Sequence, residues 1–112
     1  MIDLEEQYLE EIQRILAVKV PDCEVRVFGS RVKGKAHKFS KLNLALVGKE
    51  KLDWRKIELL KDVFSATDIP IIIDVIDFNA ISDEFKAIIE HNYEIIQNRH
   101  VEETTKPKSF EK

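Results

Sequence analysis

Cysteine is nearly absent from this sequence, since Cys23 is the only one among 112 residues. A single cysteine excludes an internal disulfide framework and a zinc site built from cysteines. Long apolar runs are missing as well: the most hydrophobic stretch, residues 69–76, is broken by Asp74 and is too short to span a bilayer. The N-terminus is acidic and lacks the basic and apolar segments of a secretion signal. We therefore expect a cytoplasmic protein with no membrane association.

The length and composition predict one compact domain. A chain of 112 residues, 44% hydrophobic and 35% charged, can bury one core but cannot hold a second folded domain. Hydrophobic periodicity ends near Gln97. We therefore predict a domain over residues 1–98 and a flexible, charged C-terminal tail over residues 99–112.

Periodicity predicts six elements in the order α-β-β-α-β-α. They are a helix over residues 2–17, strands over 23–28 and 42–47, a helix over 53–66, a strand over 71–77 and a helix over 82–97. Asp53 and Ser82 are the expected N-caps of the last two helices. This order favours an α/β (α+β) sandwich in which three helices cover one face of a small mixed sheet. The other face would be partly open to a binding site.

The charges are distributed unevenly along the chain. The net charge is only −3, but residues 25–47 contain no Asp or Glu and form an acid-free window. The window holds six of the 18 Lys and Arg residues, namely Arg26, Arg31, Lys33, Lys35, Lys38 and Lys41. The rest of the chain has 12 Lys and Arg against 21 Asp and Glu, a net charge of −9. Such a window attracts the phosphates of a nucleotide or a nucleic acid, although charge runs are usually solvated surface.

A turn formed by Gly29, Ser30 and Arg31 directly follows the first predicted strand. Glycine lets a phosphate approach the backbone closely. Serine offers its N–H and hydroxyl, and arginine can bind phosphate oxygens bidentately. A Gly-Ser pair alone is more often an ordinary turn, so the assignment depends on the residues that follow it.

The segment GSRVKGKAHKFSKLNLAL, residues 29–46, resembles the signature of the minimal nucleotidyltransferases of the DNA-polymerase-β-like superfamily. In that family a Gly-Ser turn and a basic loop lead into a strand reading Ser-Asp-hydrophobic-Asp-Leu, and a third Asp lies on a later strand. The matching residues are Gly29, Ser30, Arg31, Gly34, Ser40, Leu42, Leu44 and Asp74. The resemblance covers roughly residues 5–98. It implies the nucleotidyltransferase fold and a nucleotide- and phosphate-binding role for Gly29, Ser30, Arg31, Gly34 and Ser40.

Two of the family's catalytic positions depart from this pattern, because Lys41 and Asn43 stand where the family has aspartates. The resemblance implies that in active members these carboxylates, with the third one, hold two Mg²⁺ ions. The ions neutralise the triphosphate of ATP or another NTP and activate the attacking hydroxyl. Three carboxylates supply a charge of −3, whereas Lys41, Asn43 and Asp74 sum to zero.

The size of this effect predicts a poor metal site. A lysine ammonium roughly 4 Å from a divalent ion opposes binding by about 8 kcal/mol at an effective dielectric of 20. Half of that repulsion lowers the ion affinity roughly a thousandfold. Asparagine offers only a neutral carbonyl, and Mg²⁺ prefers carboxylates and water. We therefore expect Asp74 to be a relic metal ligand and nucleotidyl transfer to be impaired.

Three explanations of the departure stay open. The chain is a natural degenerate enzyme that keeps the fold for binding, or it is a deliberately inactivated form, since Asp to Asn is an isosteric change. Alternatively, the site is rearranged so that Lys41 replaces a metal ion and contacts phosphate directly.

Several single residues have structural rather than chemical interpretations. A carboxylate in the apolar strand around Asp74 needs a partner, and Lys41 on the neighbouring strand can supply an ion pair. We expect His37 to be exposed, Cys23 to be a small buried residue, and Trp54 to lie in the core.

The resemblance also implies a partner. Minimal nucleotidyltransferases commonly pair with a helical HEPN-domain protein, and several act as antitoxins that move AMP from ATP to a tyrosine of an RNase toxin. It thus implies the antitoxin half of such a module, here as a pseudoenzyme. The alternative is an active transferase, or its inactivated form. The acceptor would come from a partner or from a second copy of the chain.

A nucleic-acid-binding module is a third hypothesis, because the same basic loop could contact phosphates of RNA. Only Phe28 and Phe39 provide aromatic rings in or beside that loop, and the overall charge is negative. We therefore do not expect nucleic acid as a partner.

Overall fold

The computed structural model describes residues 2–37 and 40–99. The helices are α1 (Glu6–Lys19), α2 (Ser30–Lys33), α3 (Trp54–Ser65) and α4 (Asp83–His91). The strands are β1 (Glu24–Phe28), β2 (Leu42–Val47), β3 (Ile73–Asp77) and β4 (Tyr93–Gln97), and a 3₁₀ turn spans Phe78–Ala80. The predicted tail beyond Arg99 and the loop residues 38 and 39 lie outside the described residues.

The strands form one mixed sheet in the order β3-β2-β1-β4. Strand β1 runs antiparallel to both β2 and β4, whereas β2 and β3 are parallel. A parallel pair needs a crossover, and α3 supplies it. The predicted fold class, an α/β protein with a small mixed sheet, is confirmed.

The first face of the sheet carries the main core. Alternate residues of β1 and β2, among them Val25, Val27 and Leu44, are fully buried and face α1 and α3. The helices contribute Ile12, Leu16, Ile57, Leu60 and Phe64 to the same cluster. The two helices predicted over residues 2–17 and 53–66 therefore each bury an apolar face against the sheet, but Trp54 is not part of it.

The second face is covered in part by α4, which corrects the prediction that all helices lie on one face. Ile89 of α4 is fully buried against Ala45 and Phe78, and Phe28 and Tyr93 pack at the edge of this second cluster. Ala45 and Phe28 alternate with first-face residues along their strands, so both faces bury apolar side chains. Hydrophobic periodicity indicates that a helix has an apolar face, but it does not indicate which face of the sheet that helix packs against.

A fourth strand replaces the end of the predicted last helix. The helix ends at His91, Asn92 is extended (φ −157°, ψ 103°), and residues 93–97 pair with β1. The side chains of Tyr93 and Ile96 fit a helical stripe in sequence but contact opposite faces of the sheet. Pairing with the otherwise open edge of β1 satisfies the backbone of this segment and outweighs the helical pattern.

Element ends account for the other differences from prediction. Asp53 and Ser82 cap α3 and α4 as predicted, accepting bonds from the N–H groups of Arg55 and Phe85. Strand β3 begins at Ile73 rather than directly after Pro70, and the short helix α2 occupies part of the predicted loop. Trp54 is 70% exposed, because the buried residues of α3 begin one turn later.

No helix within residues 2–37 and 40–99 has both the length and the apolar character needed to span a bilayer.

Candidate functional site

The sheet register brings three of the predicted site residues together on the second face. Phe28, which precedes Gly29, pairs with Asn43, and Asn43 pairs in turn with Asp74 on β3. Positions 29, 43 and 74 therefore lie side by side at one end of the sheet. This end lies beyond the second-face cluster, and Asn43 and Asp74 are half-buried.

Gly29 packs directly against Asn43. Its backbone has φ +93° and ψ −157°, a region that is essentially restricted to glycine. A Cβ atom at this position would lie 2.6 Å from the Asn43 side-chain nitrogen. The turn thus has the close backbone approach that its sequence predicted, and the nearest side chain is the asparagine that replaces a family carboxylate.

Lys41 forms the expected ion pair with Asp74. The Lys41 Nζ atom lies 3.3 Å from Asp74 Oδ2, and the two side chains are 56% and 44% exposed. An exposed pair of this kind contributes at most about 1 kcal/mol of stability. The contact is therefore easily exchanged, and it leaves the Lys41 ammonium accessible to other anions.

The residues at this site do not fit the two-metal arrangement that the fold family implies. Asp74 is joined there by a neutral amide and an ammonium group, and the described part of the chain contains no group of three His, Cys, Asp or Glu that could hold a metal ion. Proteins usually hold Mg²⁺ through one or two carboxylates together with substrate phosphates and water, and an ammonium group beside the ion repels it. The donor set is poor for a divalent cation and good for an anion.

Arg31 does not lie in the open part of the site, which differs from its predicted phosphate contact. Its side chain is buried, with 7% exposed. Its Nε and Nη2 atoms donate to the Ser40 carbonyl oxygen at 3.0 and 2.9 Å, and Nη1 donates to the Asp3 carbonyl oxygen at 2.6 Å. All three contacts are to main-chain oxygens, so Arg31 fastens the loop before β2 to the N-terminal segment.

The remaining predicted residues shape the same loop. The Ser40 hydroxyl accepts the His37 main-chain N–H at 3.0 Å, so this serine is a buried loop residue. Gly34 ends α2 in the left-handed conformation, and Ser30 accepts bonds from Gly34 and Lys35 through its carbonyl. His37 is exposed, as predicted. These residues fix the loop that leads to Lys41.

Two further residues behave as structural groups. Cys23 is 3% exposed, and burial raises the pKa of its thiol, which keeps it protonated and unreactive at neutral pH. The carboxylate of Asp77 accepts the main-chain N–H groups of Leu52 and Asn79 at 2.7 and 3.0 Å, as suits a residue that ends a strand.

The sequence did not predict that Arg31 has a structural role. The partners of its guanidinium are carbonyl oxygens, which every residue carries, so no pattern of side chains could have indicated them. The one indication in the sequence is an absence: the acid-free window contains no carboxylate that could pair with the Arg31 guanidinium.

A cavity of about 510 Å³ lies away from this site. It is bordered by Cys23, Gly48 and Arg99, at the end of β1 where Glu24 pairs with Val47. The site at Asn43 and Asp74 lies at the other end of these strands. Its polar and charged side chains, rather than the volume of a cavity, make it the candidate functional site.

Comparisons with known proteins agree with this geometry. A family model described as "Polymerase beta, Nucleotidyltransferase" matches residues 10–102. The probable protein adenylyltransferase MntA of Haemophilus influenzae is 41% identical over 98 residues, which are 88% of this chain and 86% of that protein.

Two solved structures have a similar fold. A toxin-antitoxin crystal structure with AMP-PNP superposes with a TM-score of 0.70 at 18% identity, covering 80% of this chain and 73% of that one. A chain from a structure of the tri-AMPylated Shewanella oneidensis HEPN toxin in complex with MNT antitoxin superposes with a TM-score of 0.59 at 14% identity, covering 85% of this chain and 73% of that one.

Proposed function

Because the chain belongs to the polymerase β nucleotidyltransferase family, we propose that it is the nucleotide-binding antitoxin half of a two-protein module. Its partner in this proposal is a helical HEPN-type toxin, and its ligand is ATP or another NTP. Its nucleotidyl transfer is impaired, so it acts as a pseudoenzyme in the cytoplasm.

The relatives support the partner and the ligand. One structure of similar fold is a Shewanella oneidensis HEPN toxin in complex with MNT antitoxin, and another is a toxin-antitoxin with AMP-PNP.

The ion pair between Lys41 and Asp74 is the observation that carries the proposed loss of transfer. With Lys41 3.3 Å from the carboxylate and Asn43 beside it, the three catalytic positions have no net negative charge. A divalent ion placed there would lie next to an ammonium group and would be repelled by it. The transfer of AMP that depends on such ions should therefore be slow.

Titration calorimetry of this chain with a HEPN-type partner protein and with ATP tests the proposed binding, and mass spectrometry of the partner tests the proposed loss of transfer. We expect tight binding of the partner, binding of ATP, and no mass increase of the partner after incubation with MgATP. Rapid addition of AMP to a tyrosine of the partner would overturn the proposed loss of transfer. Failure to bind the partner would overturn the proposed antitoxin role.

An active transferase is the alternative, and the name of the 41% identical relative, a probable protein adenylyltransferase, favours it. The double substitution Lys41→Asp and Asn43→Asp distinguishes the two. If transfer is impaired by these residues, the double variant should modify the partner orders of magnitude faster than the original chain. If both chains transfer AMP at the same rate, the site works without these carboxylates and the alternative is correct.

A further inference from the structure

We propose that the site binds the phosphates of a nucleoside triphosphate without a divalent ion, the Lys41 ammonium occupying the place of the metal. This inference rests on the proposed nucleotide binding and adds that the binding requires no divalent cation. It starts from the mismatch between the donor set, one ammonium, one amide and one carboxylate, and the needs of Mg²⁺.

The main chain on both sides of Lys41 is held in place. The carbonyl oxygen of Ser40 accepts two N–H groups of the buried Arg31 side chain, at 3.0 and 2.9 Å. The N–H of Leu42 donates to the carbonyl oxygen of Ile72 at 3.0 Å. Lys41 therefore projects from a fixed point at the end of the sheet, just before β2, and its side chain can adjust to a ligand.

The Lys41 ammonium has unused hydrogen-bonding capacity. A lysine ammonium has three N–H donors, and one of them serves Asp74 Oδ2 at 3.3 Å. Since the side chain is 56% exposed, the other donors can reach an incoming anion while the ion pair stays intact. Asp74 then orients the ammonium rather than competing with the phosphate for it.

The neighbouring residues also suit an uncomplexed triphosphate. Gly29, which has no side chain, lies close to the Asn43 amide nitrogen. The main chain of the glycine and the neutral N–H donor of Asn43 therefore lie together. Lys33 at the end of α2 and Lys35 in the loop after it are exposed, and residues 25–47 contain no Asp or Glu. Free ATP carries more negative charge than MgATP, so this positive surface should attract free ATP more strongly.

The test is equilibrium binding of ATP to the full chain in buffer with EDTA and in buffer with excess Mg²⁺. We expect binding in EDTA that is at least as tight as binding with Mg²⁺. Lys41→Ala should weaken binding in EDTA roughly tenfold, as for the loss of one charge-assisted hydrogen bond. Lys41→Arg should keep most of the affinity. Inorganic tripolyphosphate should compete with ATP, and adenosine should not.

Lys49→Ala is the matched control, because it removes the same charge from an exposed position after the far end of β2. It should bind ATP as the original chain does. Thermal unfolding of each variant shows whether it is folded.

The outcomes separate the inference from the proposed function. If ATP binds only when Mg²⁺ is present, or if a folded Lys41→Ala variant binds as tightly as the original chain in EDTA, the inference is wrong although nucleotide binding stands. If ATP binds in neither buffer, the proposed nucleotide binding itself is wrong.

Discussion

Gly29 shows how much of this site depends on one residue. Its φ of +93° with ψ of −157° is costly for any residue with a Cβ atom, and such an atom would also lie 2.6 Å from the Asn43 amide nitrogen. Gly34, five residues later, has φ +73° and open space around it. Gly29 thus combines a backbone conformation restricted to glycine with a close contact, whereas Gly34 has the milder left-handed conformation and no close contact.

Gly29→Ala should lower the free energy of unfolding by about 1–3 kcal/mol, because the alanine would force both the backbone and Asn43 to move. Gly34→Ala, which meets no neighbouring atom, should cost only about 1 kcal/mol. Urea denaturation of the two variants measures the difference. Equal losses in both would show that neither the backbone conformation of Gly29 nor its contact with Asn43 makes this position special.

Arg31 and Lys41 lie in the same acid-free window, but their side chains have different environments in the folded chain. Arg31 is buried and donates to the carbonyl oxygens of Ser40 and Asp3, while Lys41 is exposed beside Asp74. The sequence predicted the Lys41 pair, since positions 41 and 74 lie on neighbouring strands and carry opposite charges. It could not predict the partners of Arg31, since carbonyl oxygens are available at every position.

At the scale of elements, α4 determines what remains open on the second face. Ile89 is fully buried against the sheet, whereas its neighbour Ile88 is 60% exposed. By packing on Ala45 and Phe78, the helix closes one part of this face and leaves the end with Asn43 and Asp74 accessible.

Ile89→Ala should lower the free energy of unfolding by about 2–5 kcal/mol through the lost burial and the cavity left behind. Ile88→Ala is the matched control on the same helix and should change it by less than about 0.5 kcal/mol. Thermal or urea unfolding of both variants provides the measurement. A small effect of Ile89→Ala would contradict the placement of α4 on the sheet.

At the scale of the whole molecule, burial of Cys23 links the stability of the fold to alkaline pH. Desolvation raises the pKa of this thiol above its ordinary value of 9.0, and nearby Lys56 offsets part of that shift. Between the ordinary value and the raised one, the unfolded chain loses the proton while the folded chain keeps it. The contribution of Cys23 to stability should therefore be constant at neutral pH and decrease as the pH rises above 9.

The substitution Cys23→Ala should remove this part of the pH dependence. We expect the free energy of unfolding of the original chain to fall more steeply above pH 9 than that of the variant, and the two slopes to agree near pH 7. Urea titrations over this range give both slopes. Since lysines titrate in both chains, only the difference between the slopes reports on Cys23. Parallel curves above pH 9 would show that the thiol is not the cause.

The amino-acid sequence by itself determined the fold class, the helix caps at Asp53 and Ser82, the first-face core and the ion pair between Lys41 and Asp74. These features depend on local patterns: apolar periodicity, capping residues, and charges on adjacent strands. Only the tertiary structure decided that residues 93–97 form a strand, that α4 covers the second face, that Trp54 is exposed and that Arg31 holds a loop. Each of these depends on which partner lies opposite in space, and partners that consist of a strand edge, a sheet face or a carbonyl oxygen leave no signature in the sequence.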